Sequence, residues 1–190
     1  DPILAANRDL MRTVDRVLIE GRMPLVLGGD HSIAIGSIAG TTGFHAKRGE
    51  HLGLIWFDAH GDSNTPETTP SGNIHGMPVA VALGHGDRDL VRLGGRAPKV
   101  RPRNTVLIGI RDLDHGERDF LKKSGVTVYT MRDLDERGMR DVLDEGIRLA
   151  SDGTAGIHLS FDLDVVDPED APGTGTPVWG GISYREAHLA

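Results

Sequence analysis

The sequence has 190 residues, which is enough for one domain with a substantial hydrophobic core. Its formal net charge of −7 argues against a nucleic-acid partner held by phosphate contacts. It contains no cysteine, which excludes disulfides and thiolate metal sites and favours a reducing, cytoplasmic compartment. There is also no apolar run long enough to cross a membrane, so we expect no membrane partner.

Apolar periodicity predicts helices and strands that alternate along the chain. In chain order they are a helix at 6–21, a strand at 24–27, a helix at 32–39, a strand at 52–57, a helix at 77–83, a strand at 105–110, a helix at 117–124, a strand at 126–129, a helix at 132–150 and a strand at 156–161. This alternation is typical of an α/β fold with a mostly parallel sheet. A polar loop at 63–72 interrupts the pattern.

The last residues predict one more helix. Ser183 and Glu186 match a capping box, in which a serine at the N-cap is followed three residues later by a glutamate. The sequence ends at Ala190, about two helical turns later. We therefore interpret residues 1–190 as a single, incomplete domain whose C-terminal part is missing.

Three acidic and histidine-containing motifs follow apolar runs. They occupy residues 28–32 (GGDHS), 58–62 (DAHGD) and 160–164 (SFDLD). The carboxyl ends of parallel strands share one edge of a sheet, so residues far apart in sequence can converge there. Carboxylates that crowd at this edge repel one another, and a bound cation relieves the repulsion.

The spacing within these motifs predicts a metal site. In an extended chain, residues two apart point to the same side, which aligns the ligands within residues 58–62 and within residues 162–164. His31 lies just past the first apolar run, near the start of a predicted helix. Two imidazoles and four carboxylates suit two hard or borderline divalent ions, with Mn²⁺ or Mg²⁺ favoured over zinc, iron, cobalt and nickel. The candidate ligands are His31, Asp58, His60, Asp62, Asp162 and Asp164.

Each motif alone also has a simpler interpretation. Residues 58–62 could form an ordinary turn after a strand, Asp162 and Asp164 could be solvated or cap a helix, and His31 could be a structural histidine. The metal interpretation rests on the three motifs occurring together. Asp30 and Asp167 are assigned only as turn residues or as neighbours of the ligands.

Together with residues 64–66, 71–76 and 175–181, these motifs resemble the ureohydrolase family of arginases, agmatinases and their relatives. The resemblance spans about residues 24–186 and is stronger to arginases. It implies a three-layer α/β/α fold and two Mn²⁺ ions per subunit. It also implies that His31, Asp58, Asp62 and Asp162 hold one ion, and that His60, Asp58, Asp162 and Asp164 hold the other.

The same resemblance implies roles for residues near a substrate. Asn64, Ser71 and Asn73 would bind an α-carboxylate, although a polar loop could use the same groups to satisfy its own backbone. Asp114 and Glu117 would receive an α-ammonium group, with N-terminal helix stabilisation as the alternative. Thr176 would line the guanidinium end of the substrate, or serve as a turn residue.

For the reaction, the resemblance implies that a hydroxide bridging two manganese ions attacks the guanidinium carbon of L-arginine and gives L-ornithine and urea. Asp62 would stabilise the intermediate, and His75 would pass a proton to the leaving amine. His75 could also be an ordinary loop histidine. The family's guanidinium-pairing glutamate would lie beyond Ala190, and Glu186 is not assigned that role.

Three alternatives stay open at this point. One is an agmatinase or another ureohydrolase of guanidino acids, and another is a non-catalytic metal-binding relative. The third is the related deacetylase fold, whose metal site uses one zinc and fewer carboxylates. The family also implies a homo-oligomer, a trimer or a hexamer, and an N-terminal segment that is mostly absent here.

Overall fold

Four parallel strands form the central sheet of the protein. The computed structural model describes residues 1–190. The strands lie in the order β3-β2-β1-β4, and every neighbouring pair is parallel. Each strand lies within one residue of its predicted bounds at either end. They are β1 (Gly53–Phe57), β2 (Thr105–Ile110), β3 (Thr127–Thr130) and β4 (Ile157–Phe161).

Eight helices connect and cover these strands. They are α1 (Pro2–Ile19), α2 (Ile33–Ala46), α3 (Pro78–Ala82), α4 (Arg88–Arg92), α5 (His115–Ser124), α6 (Met131–Arg137), α7 (Met139–Ser151) and α8 (Tyr184–Leu189). Short 3₁₀ turns lie at Ile74–Gly76, Pro102–Asn104 and Leu163–Val165. The predicted capping box is present at the start of α8. No helix is both long enough and apolar enough to span a membrane.

The two faces of the sheet are covered by different helices. Ile55 and Phe57 of β1 pack in a cluster with side chains of α6 and α7. Leu54 and Trp56, which alternate with them, pack with side chains of α2, α3 and α5. Because successive side chains of a strand point to opposite faces, a strand buried on both faces needs an uninterrupted apolar run. The resulting three-layer α/β/α arrangement confirms the expected fold.

The strand predicted at residues 24–27 is wrong. These residues lie beside α1, with Val26 partly buried, but they pair with no strand. Leu25 and Leu27 are 81% and 85% exposed. The run has the apolar composition of a strand, but no neighbouring backbone supplies ladder hydrogen bonds, and β4 forms the edge of the sheet.

The long helix predicted at 132–150 is two helices. Gly138, with φ 81° and ψ 151°, separates α6 from α7. This φ lies in the region that favours glycine, so the chain turns there without a steric penalty. The prediction also missed the single turn of α4, which Asp87 caps, and ended α2 too early, at residue 39 instead of Ala46.

Lys99 is a buried lysine beside the end of α4. It is only 2% exposed, and its Nζ donates to the carbonyl oxygens of Val91 and Leu93 at 2.6 and 2.8 Å. No carboxylate lies within ion-pair distance of it, and burial lowers its pKa from 10.5 to about 8.

Between about pH 8 and 10.5 the unfolded chain therefore binds more protons at Lys99 than the folded chain does. We expect the free energy of unfolding of the native protein to rise over this interval relative to Lys99→Met, by at most about 3 kcal/mol. Urea unfolding at several pH values measures the difference, with exposed Lys122→Met as the control. Parallel pH curves for native protein and Lys99→Met would contradict this account.

Candidate metal centre

Strands β1 and β4 end side by side and deliver two carboxylates to the same edge of the sheet. Phe57 and Phe161 are paired in register, and Asp58 and Asp162 follow them directly. The backbone N–H of Asp162 donates to the carbonyl of Phe57 at 2.9 Å. The backbone N–H of Asp58 donates to the carbonyl of Ile108 on β2 at 3.1 Å. The sheet register therefore brings the second and third motifs together.

His31 is the centre of a first group. Its Nδ1 lies 3.0 Å from Asp58 Oδ2, 3.2 Å from Asp62 Oδ2 and 3.1 Å from Asp162 Oδ2. The turn before α2 therefore delivers the first motif to the other two. His31, Asp58 and Asp162 have the mutual spacing of a metal-binding group.

His60 is the centre of a second group. Its Nδ1 lies 3.3 Å from Asp58 Oδ1 and 3.1 Å from Asp164 Oδ2. These three residues also have the spacing of a metal-binding group. Asp58 belongs to both groups because its two oxygens face different histidines. The two groups therefore form one continuous cluster that shares a buried carboxylate.

Asp62 has an unusual backbone. It is the only non-glycine residue with a positive φ, 45°, and it is 6% exposed. Such conformations cost energy and occur disproportionately at functional sites. Its carbonyl accepts a hydrogen bond from Val79 at 2.8 Å, which ties the conformation to α3. Burial, followed by the charge of Asp58, raises the pKa of Asp62 to about 8.

The neighbouring carboxylates favour the protonated form of both histidines. Burial lowers the pKa of His31, but hydrogen bonding to the carboxylates of Asp162, Asp58 and Asp62 raises it to about 12. Burial likewise lowers the pKa of His60, whereas hydrogen bonding to the carboxylates of Asp164 and Asp58 raises it to about 11. No lysine or arginine forms an ion pair with any of these carboxylates.

The donor set fits divalent cations. It consists of imidazole nitrogens and carboxylate oxygens without thiolates, which suits hard and borderline ions. Each histidine Nδ1 already faces two or three carboxylate oxygens. A cation placed between them would replace the histidine proton as the source of positive charge.

The predicted contacts for an α-ammonium group lie at the start of α5. The side-chain amide of Asn64 donates to Asp114 Oδ2 at 2.8 Å. Glu117 is buried; its Oε1 accepts from the backbone N–H of Ser63 at 2.9 Å, and its Oε2 accepts from that of Asp114 at 3.0 Å. Glu117 thus completes a capping box and also anchors the loop after Asp62, while Asp114 remains exposed.

The remaining loop residues are more open. Ser71 Oγ accepts from the backbone N–H of Asn73 at 3.2 Å, and both residues are exposed. The Asn73 side-chain amide makes no hydrogen bond within the chain. His75 lies in the 3₁₀ turn Ile74–Gly76 with a half-buried side chain. These side chains are therefore available to an external molecule.

Thr176 contacts the cluster directly from the segment after β4. Its hydroxyl donates to Asp164 Oδ2 at 3.1 Å, the same oxygen that faces His60. The structure therefore places the sequence-predicted Thr176 beside the second group.

Sequence reasoning assigned no role to two further side chains of the cluster. Trp56 donates through Nε1 to Asp58 Oδ2 at 2.9 Å and stacks on His31 at 4.0 Å between ring centroids. Ser160 Oγ lies 2.8 Å from His31 Nε2. Trp56 and Ser160 are paired in register, and each lies two residues before a candidate ligand. That two-residue spacing was the signal that could have identified them.

The fold and the cluster together define an α/β domain that collects imidazole and carboxylate groups at the carboxyl edge of a parallel sheet. A sequence model described as the Arginase family matches residues 2–190. The chain belongs to the arginase family, as the resemblance in its motifs indicated.

Curated relatives and solved structures agree with this assignment. The arginase of Bacillus subtilis (strain 168) is 58% identical over 188 residues, covering 99% of this chain and 62% of that relative. The arginase of Bacillus caldovelox is 55% identical with the same coverage. A crystal structure of the B. subtilis arginase matches with a TM-score of 0.92 and 57% identity, covering 98% of this chain and 63% of that one.

A hypothetical agmatinase from Burkholderia thailandensis matches less well, with a TM-score of 0.73 and 30% identity over 97% of this chain and 51% of that one. The chain is thus more similar to the arginases above than to this agmatinase. It spans about 62% of the length of those curated arginases.

Proposed function

We propose that the protein containing this chain hydrolyses the guanidino group of L-arginine to give L-ornithine and urea. The observation that carries the proposal is the pair of histidine-centred groups that share Asp58. Its similarity to relatives named arginase supports the choice of substrate.

The cofactor that we propose is a pair of Mn²⁺ ions per subunit. His31, Asp58, Asp62 and Asp162 would hold one ion, and His60, Asp58, Asp162 and Asp164 the other. The contacts support Asp58 as the shared ligand, while Asp162 Oδ2 faces His31 and its Oδ1 accepts from the N–H of Asp164. Two such ions, when bound, lower the pKa of water enough to provide hydroxide at neutral pH.

The chain's own groups would handle protons and charge around the guanidinium carbon. Asp62 is buried beside both Asp58 and His31, where its carboxylate can hold a proton or accept a hydrogen bond from the attacking water. His75 lies in the 3₁₀ turn Ile74–Gly76 with a half-buried side chain, and an imidazole can donate a proton, so we assign it the proton that the leaving amine requires.

Substrate recognition would involve residues on both sides of the cluster. Asn64, Ser71 and Asn73 would donate to the α-carboxylate of arginine. Asp114 and Glu117 would receive its α-ammonium group, with the exposed Asp114 in direct contact and the internally bonded Glu117 holding the loop. Thr176 would line the guanidinium end, where its hydroxyl already contacts Asp164.

The carboxylate contacts give a direct test of substrate choice. We expect Ser71→Ala and Asn73→Ala to raise KM for L-arginine by about 10-fold or more, because each removes a hydrogen bond to a charged group. Agmatine lacks that carboxylate, so its kcat/KM should not change. Urea release from both substrates with Mn²⁺ measures this, and exposed Glu67→Gln in the same loop is the control.

Two outcomes would overturn the proposal. If the native protein prefers agmatine, which has no carboxylate, the assignment of Asn64, Ser71 and Asn73 is wrong. If it binds Mn²⁺ but releases urea from no guanidino compound, the protein is a non-catalytic relative.

We also propose that the protein is cytoplasmic and forms a homo-oligomer. The absence of cysteine fits a reducing compartment. Large exposed apolar side chains such as Leu25, Leu27 and Trp179 fit a surface that another chain covers. Mass measurement of the protein in solution tests the assembly.

A further inference from the structure

The segment after Asp164 forms a closed loop beside the candidate metal centre. Its ends are joined because Ile182 donates to the carbonyl of Val165 at 3.0 Å and accepts from the N–H of Asp167 at 2.9 Å. Asp167 Oδ2 also accepts from the N–H groups of Gly180 and Gly181 at 2.8 and 3.0 Å. The loop carries Thr176 back to Asp164.

The guanidinium of Arg111, which follows β2, lies inside this loop. Its Nη2 donates to the carbonyls of Asp164 and Val178 at 2.6 and 2.7 Å. Its Nη1 donates to the carbonyls of Val165 and Gly109 at 3.1 and 3.3 Å. A further bond runs from Nε to Val178 at 3.2 Å. One side chain thus joins the two arms of the loop, residues 164–165 at its start and Val178 near its end, to the end of β2.

Arg111 is held without a carboxylate partner. All five bonds go to backbone carbonyls, and no ion pair involves this residue. Only the rigid, planar fork of a guanidinium can reach carbonyls on both arms at once, since an ammonium group presents its donors from one point.

The loop is also shaped around this group. A Cβ on Gly181 would lie 2.7 Å from Arg111 Nη2 and 2.6 Å from both the Val165 carbonyl oxygen and the Asp167 nitrogen. Such contacts are prohibitive, so a glycine is required for the loop to close on the guanidinium.

We propose that Arg111 is a positioning residue that fixes the backbone of Asp164 and of the loop segment that carries Thr176. It thereby sets the affinity with which the second group, centred on His60, binds a metal ion. This inference rests on the proposed function for its catalytic consequence, but the predicted change in metal affinity does not. Arg111 is connected to the candidate ligand Asp164 by direct contacts. Its guanidinium donates to the backbone carbonyl of Asp164, and the Thr176 hydroxyl donates to the Asp164 side chain.

The test is a calorimetric titration of the intact protein with Mn²⁺, comparing Arg111→Lys with native protein. Removing a residue that orients a metal ligand typically lowers metal affinity by about 10–100-fold. We therefore expect the Mn²⁺ ion that binds more weakly to lose at least about 10-fold in affinity in the variant. KM for L-arginine should rise as well, because Thr176 moves. Arg111→Gln is a second variant, read in the same way if Arg111→Lys does not fold.

Two controls separate positioning from loop stability. Arg118→Lys alters an exposed arginine on α5 that makes no side-chain hydrogen bond, and Asp167→Asn weakens the loop closure without touching Asp164. Both should keep Mn²⁺ affinity within about threefold of native. The proposal is overturned if Arg111→Lys also stays within that range, or if Asp167→Asn weakens Mn²⁺ binding as much as Arg111→Lys does.

A failure of the proposed function looks different. A native protein that releases no urea from any guanidino compound would remove the catalytic consequence, but the Mn²⁺ titration would still decide the role of Arg111.

Discussion

Replacing Asp58 by asparagine is expected to abolish metal loading and urea release together. Asp58 is the only residue in both histidine-centred groups, and it is 1% exposed. Asparagine has nearly the same shape but lacks the charge, and an NH₂ group would replace one of the two carboxylate oxygens. If that amide takes the Oδ2 position, it faces the Trp56 N–H, a donor against a donor.

The expected magnitude is large. Losing a residue that only orients a ligand costs about 10–100-fold in affinity, so losing a shared ligand should cost at least about 100-fold for both ions. Metal analysis after dialysis, paired with a urea assay, measures the effect. The matched control is Asp112→Asn, an exposed carboxylate that is bridged through its backbone to His60 and makes no side-chain hydrogen bond. Full metal content in Asp58→Asn would show that the two groups do not depend on this residue.

The second large effect concerns stability. Gly53→Ala should lower the free energy of unfolding by about 3 kcal/mol or more. A Cβ at position 53 would lie 2.1 Å from the carbonyl oxygen of Ala150, which is a backbone atom of α7. Neither the strand nor the helix can move without disturbing the apolar cluster that they share.

Thermal or urea unfolding measures this loss, and the melting temperature should fall by roughly 6 °C or more. Gly156→Ala is the control, because its Cβ would meet only Leu52 Cδ2, at an ordinary 3.7 Å. That change should stay within about 0.5 kcal/mol. Equal stability of the two variants would mean that α7 does not pack on β1 as closely as described.

The strands of the sheet were predictable because each is an uninterrupted apolar run that the fold buries. Residues 24–27 show the limit of this signal, since they have the same composition without a partner strand. Local sequence does not indicate whether a neighbouring backbone will be present. Gly138 shows a second limit, because a glycine inside a periodic run can either continue a helix or turn the chain.

The convergence of the three motifs was predictable because each follows an apolar run, and two of them repeat the same two-residue spacing of candidate ligands. The groups that support them were harder to find. Trp56 and Ser160 become neighbours of His31 only once the register of β1 and β4 is known. Arg111 donates to the carbonyls of Asp164, Val165 and Val178, which lie 53 to 67 residues further along the chain, and no local pattern encodes contacts at that separation.

Anomalous scattering at the manganese absorption edge, from crystals of the intact protein grown with Mn²⁺, tests the central claim most directly. The account predicts two peaks, one among His31, Asp58 and Asp162 and the other among Asp58, His60 and Asp164. A single peak, or peaks that do not share Asp58, would contradict it.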